Sequence, residues 1–463
     1  MWTNYNADQL QDLEHFCNNY INFISEYKTE REITRSCIQA AKACGYKPLE
    51  DYEFSGEKLQ AGDKVYIQNQ GKAAIFAHIG SDSFEGGMHC VGSHTDSPRL
   101  DAKFNPLYER DGLAYFETQY YGGIKKYQWV VMPLALHGVV CKKAGSTINI
   151  VVGEKDTDPV FCVSDILPHA QKFQLERKAE DIIKGEDLDV LVGNRLLDLG
   201  QDAKSKDGEK IKNFCLQVLM QRFGITEQDL DSSELYFVPA GRARHMGLDS
   251  SMILGYGHDD RCCVFPSISA QFALSKAGRT PRHTAVCLLI DKEEVGSKGP
   301  TGADSRFFEN SIRRILKTSG ILDFIAQNAV FEKTKFLSAD VNSAYDPLYA
   351  ESFEKKATSE LGSGMGFDIY TGGRGNSGGH QARPELVAYF RNLFDNANVK
   401  YHFGSTSKVD VGGGGTIAQF FSHLCMDVVD VGVPVLSMHA PWEVISKADL
   451  YETYRGIYAF VCD

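Results

Sequence analysis

Apolar, strand-like runs alternate with helical stretches in this chain up to about residue 97 and again from about residue 242 to the end. Between Pro98 and Gly241 the pattern changes to short strands such as "LAYFETQYY", "GVVCKK" and "STINIVV", joined by turns such as Lys143-Ala144-Gly145 and followed by a charged stretch and a helix near Ile211 to Phe223. The alternation predicts an α/β domain assembled from residues 1–97 and 242–463, interrupted by an inserted, more β-rich domain at 98–241. At 463 residues the chain is long enough for two cores.

Two amphipathic helices are expected to open the first segment. The second is marked by a capping box, Thr29 with Glu32, by a stripe of Ile33, Cys37, Ala40 and Ala41, and by Gly45 at its C-terminal end. "TAVCLLI", Thr284 to Ile290, reads as a strand buried on both faces. It runs into "DKEEVGS", where Glu293 and Glu294 stand side by side.

Potential metal ligands recur where other strands end. His94 and Asp96 follow "MHCVG", Asp259 and Asp260 follow "ILGYG", Asp340 follows "KFLSA" and His439 follows "VPVLSM". Open α/β sheets bind ligands at the carboxyl ends of their strands, so these groups can converge. Taken one at a time they suit helix caps, turns and hydrogen-bonded structural histidines. Taken together, several carboxylates on one dry sheet edge would repel unless cations were present. Asp259, Glu294 and Asp340 with a free Glu293 supply four negative charges against the four of two divalent ions, and His94 and His439 add nitrogens suited to zinc or cobalt. If "EE" is extended, its two side chains point opposite ways, leaving Glu294 to bind metal and Glu293 to take a proton from activated water. The i, i+2 spacing of His94 and Asp96 would place Asp96 against the His94 ring.

Composition narrows the partners. A net charge of −12 argues against nucleic acid or an anionic membrane. No run approaches 18 apolar residues, and the polar start has no signal-peptide pattern. Twelve scattered cysteines without a Cys-x-x-Cys pair, several in apolar settings such as Cys90, Cys141, Cys287 and Cys425, suit reduced thiols in a cytoplasmic protein.

"GSHTDSP", "GYGHDDR", "DKEEVGS", "LSADVN" and "VGVPVLSMHAPWE", in that order between residues 92 and 443, resemble the aspartyl aminopeptidase and aminopeptidase I family of di-metal peptidases. The resemblance implies a mixed-sheet α/β/α peptidase domain with an inserted dimerisation domain. It also implies two divalent metals per subunit, zinc first with cobalt or manganese as alternatives. Asp259 would bridge them, His94 and Asp340 would complete one site, Glu294 and His439 the other, and Glu293 would be the general base. Asp259 is preferred to Asp260 because related enzymes vary the second residue, and the peptide bond between them is often cis. In "DILPHA", His169 would reach a neighbouring subunit's active site. The implied activity is release of N-terminal residues from peptides with free amino termini, in a homo-oligomer built as a tetrahedral dodecamer of dimers.

The chain departs from the family at "QWVVMPLALHG", where many aspartyl aminopeptidases have Trp-Phe-Asp-Arg-Asp, and at "GGGGTIA", where they have Cys-Gly-Ser-Thr-Ile-Gly. Preference for an acidic N-terminal residue is therefore open, although Lys408 could pair with one. Three other readings compete: a deacylase or carboxypeptidase with the same metals, a metal-free scaffold, and a nucleotide-binding protein suggested by Gly373-Arg374-Gly375-Asn376-Ser377-Gly378.

Overall fold

The computed structural model describes residues 1–196, 209–404 and 408–463. They form two compact units, one of Met1–Asp96, Ala243–Met438 and Glu443–Asp463, the other of Ser97–Arg242 with the turn His439–Trp442.

The first unit is built on a nine-stranded mixed sheet in the order Lys47–Pro48, Lys64–Asn69, Ala73–His78, Thr284–Ile290, Met88–His94, Lys335–Ala339, Asp427–Gly432, Met365–Asp368 and Tyr401–Gly404. Its four central strands, from Thr284–Ile290 to Asp427–Gly432, run parallel. All seven residues of Thr284–Ile290 are buried, and the pleat explains why all are apolar or small. Ala285, Cys287 and Leu289 pack with helices Ala7–Glu26, His258–Lys276 and Lys447–Cys462, while Val286, Leu288 and Ile290 pack with helices Phe307–Thr318 and Phe324–Lys333 on the opposite face. A five-stranded sheet, Arg244–Met246, Met252–Gly255, Glu443–Ser446, Pro434–Leu436 and Asn342–Ser343, belongs to the same unit.

The Thr29–Glu32 capping box is formed, and Gly45 follows the helix Glu30–Ala43 at φ +85°. Of the expected stripe, Ile33, Cys37 and Ala41 are buried but Ala40 is exposed, its place taken by Ile38. Cys141 and Cys425 are exposed as well, contrary to their apolar sequence settings.

The second unit holds an antiparallel six-stranded sheet in the order Thr147–Val152, Leu134–Cys141, Ser233–Pro239, Arg99–Arg110, Leu113–Tyr121 and Val190–Gly193. Arg99–Arg110, "RLDAKFNPLYER", is missing from the sequence reading because its charges and Pro106 break the alternation. The structure absorbs that break as a register shift between Ala102 and Leu107.

One buried group makes stability pH-dependent. His89 donates from Nδ1 to the Phe460 carbonyl at 2.9 Å, and its Nε2 is buried without a partner. Burial pushes its pKa down to about 3, opposed by that hydrogen bond. Because the unfolded chain binds this proton more readily, the stability is fully present above pH ~6.5 and lost as pH falls toward 3, by about 2 kcal/mol at pH 5. His89→Phe should therefore flatten the decline of Tm between pH 7 and 5. An unchanged slope would show that the folded ring takes up the proton as readily as the unfolded one.

Candidate active site

Register brings the strand ends into line. Ile290 pairs with His94, and Ser338 pairs with Gly92, so Asp340 falls level with His94 at the same edge of the sheet. Asp259 stands after Gly257 at φ +69°, in a non-helical step (φ −76°, ψ 107°) just before the regular part of the helix His258–Lys276. Glu293 and Glu294 lie on the short 3-10 turn Glu293–Val295, and His439 follows strand Pro434–Leu436 with φ +65°.

Two groups of three ligand-bearing residues result, His94 with Asp259 and Asp340, and Asp259 with Glu294 and His439. Within each group one ligand atom per residue lies within 4.8 Å of the others. His94 Nε2 is 3.1 Å from Asp259 Oδ1, 3.6 Å from Asp340 Oδ1 and 4.0 Å from Glu293 Oε2. In both histidines Nδ1 meets a main-chain carbonyl, Asp96 O at 3.0 Å for His94 and Gly123 O at 2.7 Å for His439. A carbonyl only accepts, so Nδ1 carries the proton and Nε2 is left with the lone pair a metal needs.

Two local expectations need correction. The pair Glu293-Glu294 is not extended: Lys292 at φ +73° turns the chain, and Gly296 N–H donates to Glu293 O at 2.9 Å. The two carboxylates diverge because successive side chains on a 3-10 turn are rotated by about a third of a circle. Asp96 meets His94 mainly through its carbonyl, its Oδ1 standing 3.4 Å from Nδ1. Its carboxylate instead accepts the N–H groups of Glu293 and Glu294, both at 3.2 Å. Asp96 thus ties the histidine to the acidic turn.

Arg261 escaped the sequence reading, and Asp260, weighed there only as a rival ligand to Asp259, holds a main-chain group instead. The peptide bond Asp259-Asp260 is cis, and Asp260 Oδ2 accepts the His94 N–H at 3.1 Å. Arg261 is fully buried, and its guanidinium donates to the carbonyls of Gly257, Tyr256 and Tyr27 at 2.8 to 2.9 Å, fixing the turn that leads into Asp259. The only sequence signal was an arginine beside two aspartates.

The electrostatics call for a cation. Burial disfavours a charged His94 ring, yet the carboxylates of Asp259, Asp340 and Asp96 push its pKa well up. Burial also raises the Glu293 carboxyl, with Asp340 adding to the rise and His94 opposing it. Without a metal, protons must take the place of positive charge here. Lone-pair nitrogens and carboxylate oxygens are donors that suit zinc, and the residues of both groups fit such an ion.

Other marked residues lie elsewhere. His169 is exposed on the turn Pro168–Ala170 of the second unit and joins neither group. Lys408 Nζ donates to the Glu351 carbonyl at 2.7 Å. Gly373 to Gly378 fold back on themselves through paired Gly373–Ser377 hydrogen bonds, and the next helix begins only at Pro384. A dinucleotide fingerprint must open a helix, so that reading is withdrawn. Among the described residues no helix is long and apolar enough to cross a membrane.

The profile of the family described as aminopeptidase I zinc metalloprotease (M18) matches residues 23–461. A probable M18 family aminopeptidase 1 of Clostridium acetobutylicum is 46% identical, over 99% of this chain and 97% of that protein. The crystal structure of an M18 family aminopeptidase from Thermotoga maritima superposes with a TM-score of 0.92 at 38% identity, covering 99% of this chain and 98% of that one. The mApe1 dodecamer of S. cerevisiae shares the fold at a TM-score of 0.76 and 18% identity, over 96% of this chain and 95% of that one. A match that spans nearly the whole chain at such identities leaves one conclusion: the chain belongs to the M18 family of zinc metallo-aminopeptidases.

Proposed function

We propose that this aminopeptidase works with two divalent ions, zinc first, held by His94, Asp259 and Asp340 on one side and by Asp259, Glu294 and His439 on the other. The observation that carries the reading is the sharing of Asp259 by two ligand groups, with Glu293 beside them and in neither. Bound there, the ions would polarise the scissile carbonyl and make the attacking water acidic enough to react at neutral pH. Glu293, half-buried and raised in pKa, accepts that water's proton and hands it to the leaving nitrogen. Asp96 holds the Glu293-Glu294 turn by two main-chain hydrogen bonds and keeps the base in register with His94. One of the ions, with the carboxylates beside it, would hold a free amino terminus, which a blocked one does not offer.

Release of N-terminal residues from a panel of free and N-acetylated peptides tests this. Cleavage of free peptides alone is expected. Equal cleavage of acetylated peptides would point to a deacylase, and release from the other end to a carboxypeptidase.

The assembly reading is a homo-oligomer, a tetrahedral dodecamer of dimers in which Ser97–Arg242 carries the dimer contact and His169 serves a partner subunit. It is supported by the dodecameric state named for the S. cerevisiae relative and by the exposure of Ile166, Leu167 and Phe173 around His169. A fully active monomer in solution would overturn it. Twelve unbridged cysteines favour the cytoplasm.

A further inference from the structure

Beyond the two ligand groups, the nine-stranded sheet carries a polar row across three neighbouring strands. Ser338 pairs with Asp430, and Asp430 pairs with Asp368, so the three side chains lie abreast on one face. One oxygen of each carboxylate is engaged: Asp368 Oδ2 accepts from Asn342 Nδ2 at 2.7 Å, and Asp430 Oδ1 accepts from Thr416 Oγ1 at 2.6 Å. Three further oxygens are buried without a hydrogen-bond partner, Asn342 Oδ1, Ser359 Oγ and Asp368 Oδ1, while the Ser338 hydroxyl stands beside the Asp430 carboxyl. Asn342, Ser359, Asp368 and Asp430 are all at least nine-tenths buried.

Asn342 Oδ1, Ser359 Oγ and Asp368 Oδ1 gather around two glycines. A Cβ on Gly366 would overlap Asn342 Oδ1 and stand 3.1 Å from Ser359 Oγ. A Cβ on Gly404 would overlap Ser359 Oγ and stand 3.1 Å from Asp368 Oδ1. Glycine at both positions keeps the cradle open. The charges acting on the two carboxyls are themselves negative, Asp430 and Asp340 on Asp368, and Asp340 on Asp430. Burial pushes each carboxyl up to about 7. Orphaned buried acceptors are costly, and a pair of buried carboxylates more so.

We infer that Ser338, Asn342, Ser359, Asp368 and Asp430 form a buried site for a hard divalent cation with the coordination chemistry of calcium. Every donor is oxygen, which excludes a zinc-like preference for nitrogen and sulfur. Two carboxylates balance a divalent charge. Calcium accepts irregular shells of carboxylate, amide and hydroxyl oxygens, whereas magnesium keeps several waters that so buried a site has little room for. Asn342 lies two residues beyond Asp340, and Asp430 holds Thr416 at the end of the Gly412–Gly415 run. A cation here braces the segment that presents Asp340.

The test uses the zinc-loaded full-length enzyme in calcium-free buffer at constant free zinc. Calcium is titrated in by calorimetry, with metal analysis and Tm in parallel. One calcium per chain beyond the zinc is expected, with Tm rising as calcium increases. Asp430→Asn and Asp368→Asn should each weaken calcium binding by about tenfold or more while zinc content holds. Gly404→Ala, which fills the cradle and spares both carboxylates, should do the same if either Asn variant fails to fold. No calcium uptake by wild type up to about 1 mM, the weak end of protein calcium sites, would overturn the inference and leave a buried water or a shared proton as the occupant. Undiminished calcium binding in all three variants would overturn it equally.

Discussion

Glu293→Gln is expected to lower kcat/KM for a peptide with a free amino terminus by about 10²- to 10⁴-fold, the range of a positioned general base. Zinc content and Tm should stay at wild-type values, because Glu293 lies in neither ligand group. Glutamine keeps the shape and the main-chain hydrogen bond from residue 293 to Asp96, and loses only the ability to take a proton. The alternative carboxylate, Asp260, is poorly placed to substitute: it is fully buried, and its Oδ2 is occupied by the His94 N–H. Steady-state kinetics on metal-loaded protein decide the matter. A Glu293→Gln enzyme within about threefold of wild type, well short of that range, would move the base elsewhere and leave the paired glutamates of "DKEEVGS" without this explanation.

How much of this was legible depends on how local the signal is. Thr284–Ile290 reads as a strand because a run buried on both faces must be apolar throughout, and the capping box at Thr29 and Glu32 is complete within four residues. The alignment of His94, Glu293, Glu294 and Asp340 at one edge follows from parallel strands of similar length. What escaped depends on partners distant in sequence. The long strand Arg99–Arg110 is charged and interrupted, and its pairing with Leu113–Tyr121 and Ser233–Pro239 carries it. Arg261 is buried because three carbonyls from two separate segments surround its guanidinium. The 3-10 geometry at Glu293 rests on the left-handed Lys292, a non-glycine residue that no propensity places there. Asp368 and Asp430 carry no local mark of burial, and both are buried.

Asp259→Asn should have the largest effect on metal. Asp259 offers a ligand atom to both groups, whereas His94, Asp340, Glu294 and His439 each belong to one. Replacing it removes the shared ligand and one negative charge from both sites at once. Even outer-shell partners change metal affinity by about 10- to 100-fold, so this loss should exceed that at both sites. Zinc should fall below one ion per chain at a free zinc concentration that keeps wild type full, with activity lost in step, while Glu294→Gln should strip one ion and leave the other. Stability separates this outcome from misfolding. In the metal-free chain Asp259 adds to the repulsion around Asp260 and Glu293 but also pairs with a protonated His94 at 3.1 Å, and with these opposed effects metal-free Asp259→Asn should melt close to metal-free wild type. Zinc should then raise the Tm of wild type and leave that of the variant nearly unchanged. A variant that still binds two zinc ions and gains the same Tm would show that Asp259 does not join the two sites.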